Sequence, residues 1–234
     1  MSVLLVLLMF AIVMIVGYYL ERKQPRYMPA AAGSENRAIP APFAGRLATE
    51  VPPGYLFHPC HTWAFDEGWQ AIRIGLDHFA ATLFGKIDNI TVTTPNRWVR
   101  QGQKLMTITF DGVSIELPSP VEGTVISVNG PALEDPSVIC KDPLHEGWLA
   151  VIKAASFESD RKNLIQPAMS ESWMRNSAVL LQHMCSQEPA LAQDGGRPIQ
   201  GVLKRISPEL RKKVVREFLL TVPAEAMVAN SEHQ

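Results

Sequence analysis

The sequence predicts a mainly β domain, a small two-sheet sandwich or flattened barrel, placed behind an N-terminal membrane helix and followed by α-helices. Three observations predict it. Residues 1–20 contain no acidic or basic side chain that is charged at neutral pH. Between residues 55 and 155, short runs rich in β-branched and aromatic residues alternate with turn signals. After Ser156 the apolar residues recur at helical spacing instead.

The first segment is almost pure Val, Leu, Ile, Met, Phe and Ala over residues 3–16. A helix of residues 1–20 spans a bilayer core of roughly 30 Å. A cleaved signal carries its basic residues before the apolar run and a small-residue site just after it. Here Arg22, Lys23 and Arg26 follow the run, and Ala30 and Ala32 stand too far on, so an uncleaved anchor is predicted. The basic C-terminal flank puts the soluble part on the cytoplasmic side of a plasma (inner) membrane, single-pass, and Tyr18, Tyr19 and Tyr27 suit an interfacial belt. Residues 21–53 turn to Pro, Ala, Gly, Ser and Arg, the composition of a semi-rigid tether.

Within residues 54–155, strands are predicted at 70–74, 87–93, 104–110, 113–117, 123–128 and 148–152. One helical run interrupts them at residues 77–84, where Phe79, Leu83 and Phe84 share a face. Asp111-Gly112 lies between two alternating runs, and a two-residue Asp-Gly link is a strong hairpin signal because both residues must take φ > 0.

The region 156–222 reads as two helices. Ser170 caps the first, with Trp173, Leu180 and Met184 on one face and Met174, Ala178 and Leu181 beside it. Ser207 caps the second, with Pro208 at its first position, Glu209 near the positive dipole end, and Leu210, Val214 and Phe218 facing inward. Lys204, Arg205, Arg211, Lys212, Lys213 and Arg216 make this end basic, a solvated face or a strip for lipid headgroups or an acidic partner. Residues 223–234 form a tail.

The 22 basic and 23 acidic side chains leave no excess charge to coat phosphates, so a nucleic-acid partner is not expected. Cys60, Cys140 and Cys185 fit neither a disulfide framework nor a paired-thiolate zinc site. His58, Cys60 and His61 cluster locally, but Pro59 constrains the backbone between them and no second cluster completes four ligands. No metal and no catalytic residue is therefore predicted, and Asp77-His78 are adjacent residues that point apart on a helix. Glycine-rich phosphate loops and Gly-x-Ser-x-Gly elbows are missing from the sequence.

The most specific signals lie in order along the β region. They are His61-Thr62-Trp63; Gly75 to Ala80 followed by Leu83-Phe84-Gly85; Val99-Arg100-Gln101-Gly102; Pro120-Val121-Glu122-Gly123; and Leu133-Glu134-Asp135-Pro136 leading to Asp142-Pro143 and Glu146-Gly147-Trp148-Leu149. In this order and spacing they resemble the H protein of the glycine cleavage system, whose fold is the lipoyl-type flattened β-barrel. The resemblance covers residues 61–155. Gly75, Gly102, Gly123 and Gly147 are expected where strands meet turns, Asn96 stands where the family often has glycine, and Trp63, Trp98 and Trp148 are expected to fill the core.

The resemblance implies a lipoyl group on a lysine at a hairpin tip. Counting back without gaps from Pro120-Val121-Glu122-Gly123 places Gly112 at that position. Lys86, Lys104, Lys141 and Lys153 are read as lying off the hairpin, so a carrier fold without its carrier lysine is expected, and no cofactor. The hairpin tip, Asp111, Gly112 and Val113, is then either a structural link or a recognition surface for a cytoplasmic protein, a glycine-cleavage-type or other lipoate-linked enzyme.

The leading reading is a non-enzymatic scaffold with two partners, the bilayer and that protein. Another keeps lipoate, on Lys104 or another lysine. A secretion or efflux adaptor is a third, weakened by the continuous lipoyl-like region and the inward-pointing charges. A metal-dependent enzyme at His58, Cys60 and His61 is the fourth.

Overall fold

The computed structural model describes residues 52–186 and 200–221. The predicted span 1–20, the tether up to residue 51 and the tail from residue 223 lie outside them. Among the described residues no helix is long and apolar enough to cross a membrane.

Among the described residues nine strands form: β1 Tyr55–His58, β2 Thr62–Asp66, β3 Ala71–Leu76, β4 Asn89–Val92, β5 Trp98–Val99, β6 Lys104–Phe110, β7 Val113–Pro118, β8 Gly123–Val128 and β9 Trp148–Ala154. They make two antiparallel sheets, one ordered β1-β2-β3-β9-β8-β5 and the other β4-β6-β7. The alternation that predicted β7 puts Val113, Ile115 and Leu117 in the core and leaves Ser114 and Glu116 outside it. In β6 a register shift between Lys104 and Met106 lets both Leu105 and Met106 turn inward.

Strands β1 and β2 escape the sequence pattern because both of their faces are covered. Leu56 and Ala64 join the core between the sheets, while Tyr55, Phe57 and Trp63 pack on the opposite face with Leu144 and Met174. A strand buried on both sides loses its period-two signature.

The helices are α1 His78–Phe84, α2 Gly130–Glu134, α3 Ser137–Lys141, α4 Phe157–Asp160, α5 Pro167–Cys185, α6 Val202–Arg205 and α7 Pro208–Leu219, with a 3-10 turn at Arg161–Asn163. Helix α1 starts as predicted, Asp77 accepting from the Ala80 N–H at 2.8 Å. Helix α7 has Ser207 at its N-cap position and Pro208 and Glu209 in its first turn, with Val214, Val215, Phe218 and Leu219 buried.

Helix α5 corrects the sequence reading. It begins at Pro167, and Ser170 lies inside its first turn, where its hydroxyl donates to the Pro167 carbonyl at 2.8 Å. Met174, Ala178, Leu181 and Cys185 form its buried face, while Leu180 is 38% exposed. The core runs across the change from strand to helix near residue 155: Leu164, Ala178, Leu181, Leu203, Val214 and Leu219 join Ile108, Phe110, Val113 and Ile115 in one cluster.

Trp63 has no exposed surface, and its indole N–H donates to the carbonyls of Leu76 at 2.8 Å and Pro143 at 3.0 Å. Trp148 is partly buried against the cluster of Tyr55, Phe57, Trp63, Leu144 and Met174, but Trp98 is half exposed and adds little to the core. Gly75 is no turn residue. It sits inside β3, and a Cβ there would stand 2.5 Å from the Trp63 ring. Gly75→Ala is therefore expected to destabilise the fold by about 1–3 kcal/mol, the range for overpacking a filled core. Urea denaturation should show a lowered midpoint with the m-value unchanged.

Candidate functional site

Phe110 pairs with Val113 across the β6–β7 hairpin, leaving Asp111 and Gly112 as its two turn residues. Their φ angles are 50° and 75°, so both are left-handed, as a type I′ turn requires. No heavy atom lies within 4 Å of the place a Gly112 Cβ would occupy. Space is free at the tip, and the backbone is what resists a side chain, since a left-handed L-residue costs roughly 1–2 kcal/mol.

The tip is fastened from two sides. The Asp111 N–H donates to Asp88 Oδ2 at 2.7 Å, and the Asp111 carboxylate pairs with Lys204 Nζ at 3.2 Å. Asp88 comes from the segment before β4 and Lys204 from α6. Of the three residues marked by sequence as a recognition surface, Asp111 and Gly112 are exposed. Val113 is fully buried, which withdraws its side chain from any partner.

The lysines fall differently from the sequence reading. Lys104 is on the hairpin after all, as the first residue of β6, at its base and paired with Glu116. The amine that reaches the tip is that of Lys204. Nothing local in the sequence couples residues 111 and 204, because only the fold of the C-terminal helices brings them together. The basic strip is accordingly broken up, with Lys204 held by Asp111 and Lys212 by Glu209 at 3.6 Å.

Beneath this face lies a polar pair with aromatic walls. His61 takes φ 60° in the β1–β2 turn, and its Nδ1–H donates to Asp77 Oδ2 at 2.7 Å, with both side chains buried. The imidazole is stacked between Phe79, centroids 4.1 Å apart, and Trp173, 4.3 Å apart, and Phe218 tilts against both His61 and Phe79. The His-x-Trp histidine is thus a junction between β1–β2, α1, α5 and α7.

His58 and Cys60 turn elsewhere. His58 Nδ1 accepts the Cys60 N–H at 3.2 Å and lies 2.9 Å from the Cys60 sulfur. Burial drives the His58 pKa down to about 4 and the Cys60 thiol up to about 12, so near neutrality the two are an uncharged imidazole and thiol. His61 is engaged with Asp77, and among the described residues no group of three His, Cys, Asp or Glu side chains could hold a metal ion. Asp77 and His78 also part company. Asp77 caps α1 and holds His61, while His78 lines a groove of about 640 Å³ with Ser137, Cys140 and Gln200.

Set against known proteins, residues 55–177 match the family model described as Glycine cleavage H-protein. The "Glycine cleavage system H protein 2" of Aquifex aeolicus is 29% identical over 94 residues, which is 40% of this chain and 58% of that protein. The chain therefore spans less than two thirds of that relative. The "Glycine cleavage system H protein" of Anaeromyxobacter sp. (strain K) is 30% identical over 115 residues, covering 49% of this chain and 86% of that one. Among solved structures, the glycine cleavage system H protein of Mycobacterium marinum aligns with 45% of this chain and 87% of its own, at 21% identity and a TM-score of 0.42.

The His58–Cys60 pair makes stability depend on pH. With His58 lowered from 6.5 to about 4 in the folded chain, the unfolded chain takes up a proton first as pH falls. The contribution is complete above about pH 6.5 and is lost towards pH 4, amounting to about 3 kcal/mol. Burial also lowers His78, which adds a slope of the same sign in every variant. His58→Gln should flatten the wild-type loss of stability between pH 6.5 and 4 by that amount, read by urea denaturation across the range.

Proposed function

The chain belongs to the glycine cleavage H-protein family, and from that premise we propose that it is a member that carries no lipoate. It serves as a non-catalytic binding module, held at the inner membrane by residues 1–20 with its β domain on the cytoplasmic side, where it retains a cytoplasmic protein. The observation that carries this reading is the hairpin tip. The ungapped count sets Gly112 at the place of the lipoyl lysine, and the turn there is a left-handed Asp111-Gly112 pair fastened to Asp88 and Lys204.

The chemistry argues in the same direction. A lipoyl amide needs a primary amine on a long stem, standing clear of the domain so that the arm can enter other active sites. Gly112 has no side chain. Lys104 lies at the hairpin base against Glu116 and opposite Pro118, and Lys204 belongs to a helix and is spent on Asp111. The anchor rests on the uncharged residues 1–20 and the basic flank of Arg22, Lys23 and Arg26. The second reading keeps the family's carrier role with lipoate on Lys104 or another lysine, and the same experiment decides between the two.

The full-length chain in detergent is incubated with a lipoate-attaching enzyme, lipoate and ATP, under conditions that load an ordinary family member completely. The expected intact mass is unchanged. A lipoyl increment would overturn the proposal, and the modified peptide would identify the lysine that replaces the lost one.

A further inference from the structure

The β2–β3 turn carries a side chain that the fold does not use. Trp69 is 98% exposed, the most exposed of the large apolar side chains among the described residues. Its backbone is left-handed at φ 54°, between Gly68 at 87° and Gln70 at 66°. The turn closes without help from the indole, the Glu67 N–H donating to the Ala71 carbonyl and the Ala71 N–H to the Gly68 carbonyl, both at 2.9 Å. Positive φ in a bulky residue is a genuine outlier, and glycine would hold this turn at lower cost. A large indole kept in a strained backbone, with nothing of the domain against it, has its use outside the domain.

The place of the turn selects the partner. Tyr55 pairs with Phe65 and Asp66 pairs with Ile72, so the 67–70 turn lies at the end of the sheet where the chain enters from Pro52 and Pro53. On the anchored reading, residues 21–51 lead from the bilayer to that end and reach at most roughly 100 Å when fully extended. A contact too weak to recruit a free protein is then populated by tethering, which raises the local concentration.

The charges around Trp69 are muted rather than basic. Glu67 is paired with Arg73, and the Asp66 carboxylate accepts the Gly68 N–H at 2.8 Å. The exposed Lys153 opposite Ala71 is, with Arg73, balanced by Asp66 and Glu67, so the turn carries no net positive charge to draw anionic headgroups, whereas tryptophan partitions into the headgroup region of any bilayer through its ring and its N–H.

We propose that Trp69 is a membrane-interface contact, a side chain that dips into the headgroup layer and orients the domain with its β2–β3 turn towards the bilayer. This rests on the anchored reading of residues 1–20. The test uses the full chain in phosphatidylcholine nanodiscs containing lipid brominated near the headgroup, with Trp69→Phe and Trp69→Gly compared.

The chain has five tryptophans. Bromolipid is expected to quench up to about a fifth of wild-type emission, to quench neither variant beyond background, and to act equally when phosphatidylglycerol replaces part of the phosphatidylcholine. Trp69→Gly is expected to melt no lower than wild type, since it relieves the backbone and removes no packing. Equal quenching of wild type and Trp69→Phe would overturn the contact, as would a photo-crosslinker at position 69 that joins a protein instead of lipid in native membranes. Alkaline extraction of the chain from those membranes is run in parallel. Loss into the supernatant would overturn the anchored reading and the contact with it, whereas retention without Trp69 quenching would overturn the contact alone.

Discussion

A buried imidazole donating to a buried carboxylate at 2.7 Å, closed above and below by aromatic rings, is the constraint on which the rest of this structure depends. Each member of the pair has a second task. Asp77 caps α1 through the Ala80 N–H, and its own N–H donates to the His61 carbonyl at 3.1 Å. His61 holds the β1–β2 turn in a left-handed conformation and offers its two ring faces to α1 and α5. Removing one partner would strand the other without water, a penalty of about 3–5 kcal/mol if it is charged. The stacked rings add roughly 0.5–1.5 kcal/mol for each pair beyond their buried area. No single strand or helix owns this junction, so the elements stand or fall together.

The same junction connects to the hairpin tip. Phe218 of α7 rests on His61 and Phe79, and the core that continues from α7 and α6 contains Phe110, Val113 and Ile115 of the hairpin. At the end of that path Lys204 meets Asp111. A carrier arm needs a tip that stands free. Here the tip is tied to two separate parts of the chain, through Asp88 and Lys204.

Much of the fold was legible because its signals are local. The Asp111-Gly112 turn, the alternation of β6 and β7, the helical run ending at Phe84 and the Ser207-Pro208-Glu209 start of α7 each depend on residues within one turn or strand. Strands β1 and β2 were hidden by burial on both faces, and α2 and α3 by their brevity, five residues each around Pro131 and Pro136. On α5 Leu180 suggests an inward face that the structure turns to solvent, because the small Ser177 and Ala178 let the neighbouring face with Met174 and Leu181 approach the core. Gly75 looks like a turn glycine beside Asp77, though its missing side chain makes room for the Trp63 ring. At the site the turn itself was legible. Its fastening by Asp88 and Lys204 was not, because that pairing exists only once the C-terminal helices have docked.

A hairpin without a carrier arm should be held as firmly as the core beneath it. Native-state hydrogen exchange of the full chain, followed amide by amide, measures this directly. The Asp111 amide, bonded to Asp88, and the β6–β7 ladder amides should open with free energies close to those of β3 and β9. Exchange at the rate of an exposed, unconstrained turn at Asp111, while β3 and β9 stay protected, would contradict the account. It would mean that the tip moves freely despite Asp88 and Lys204.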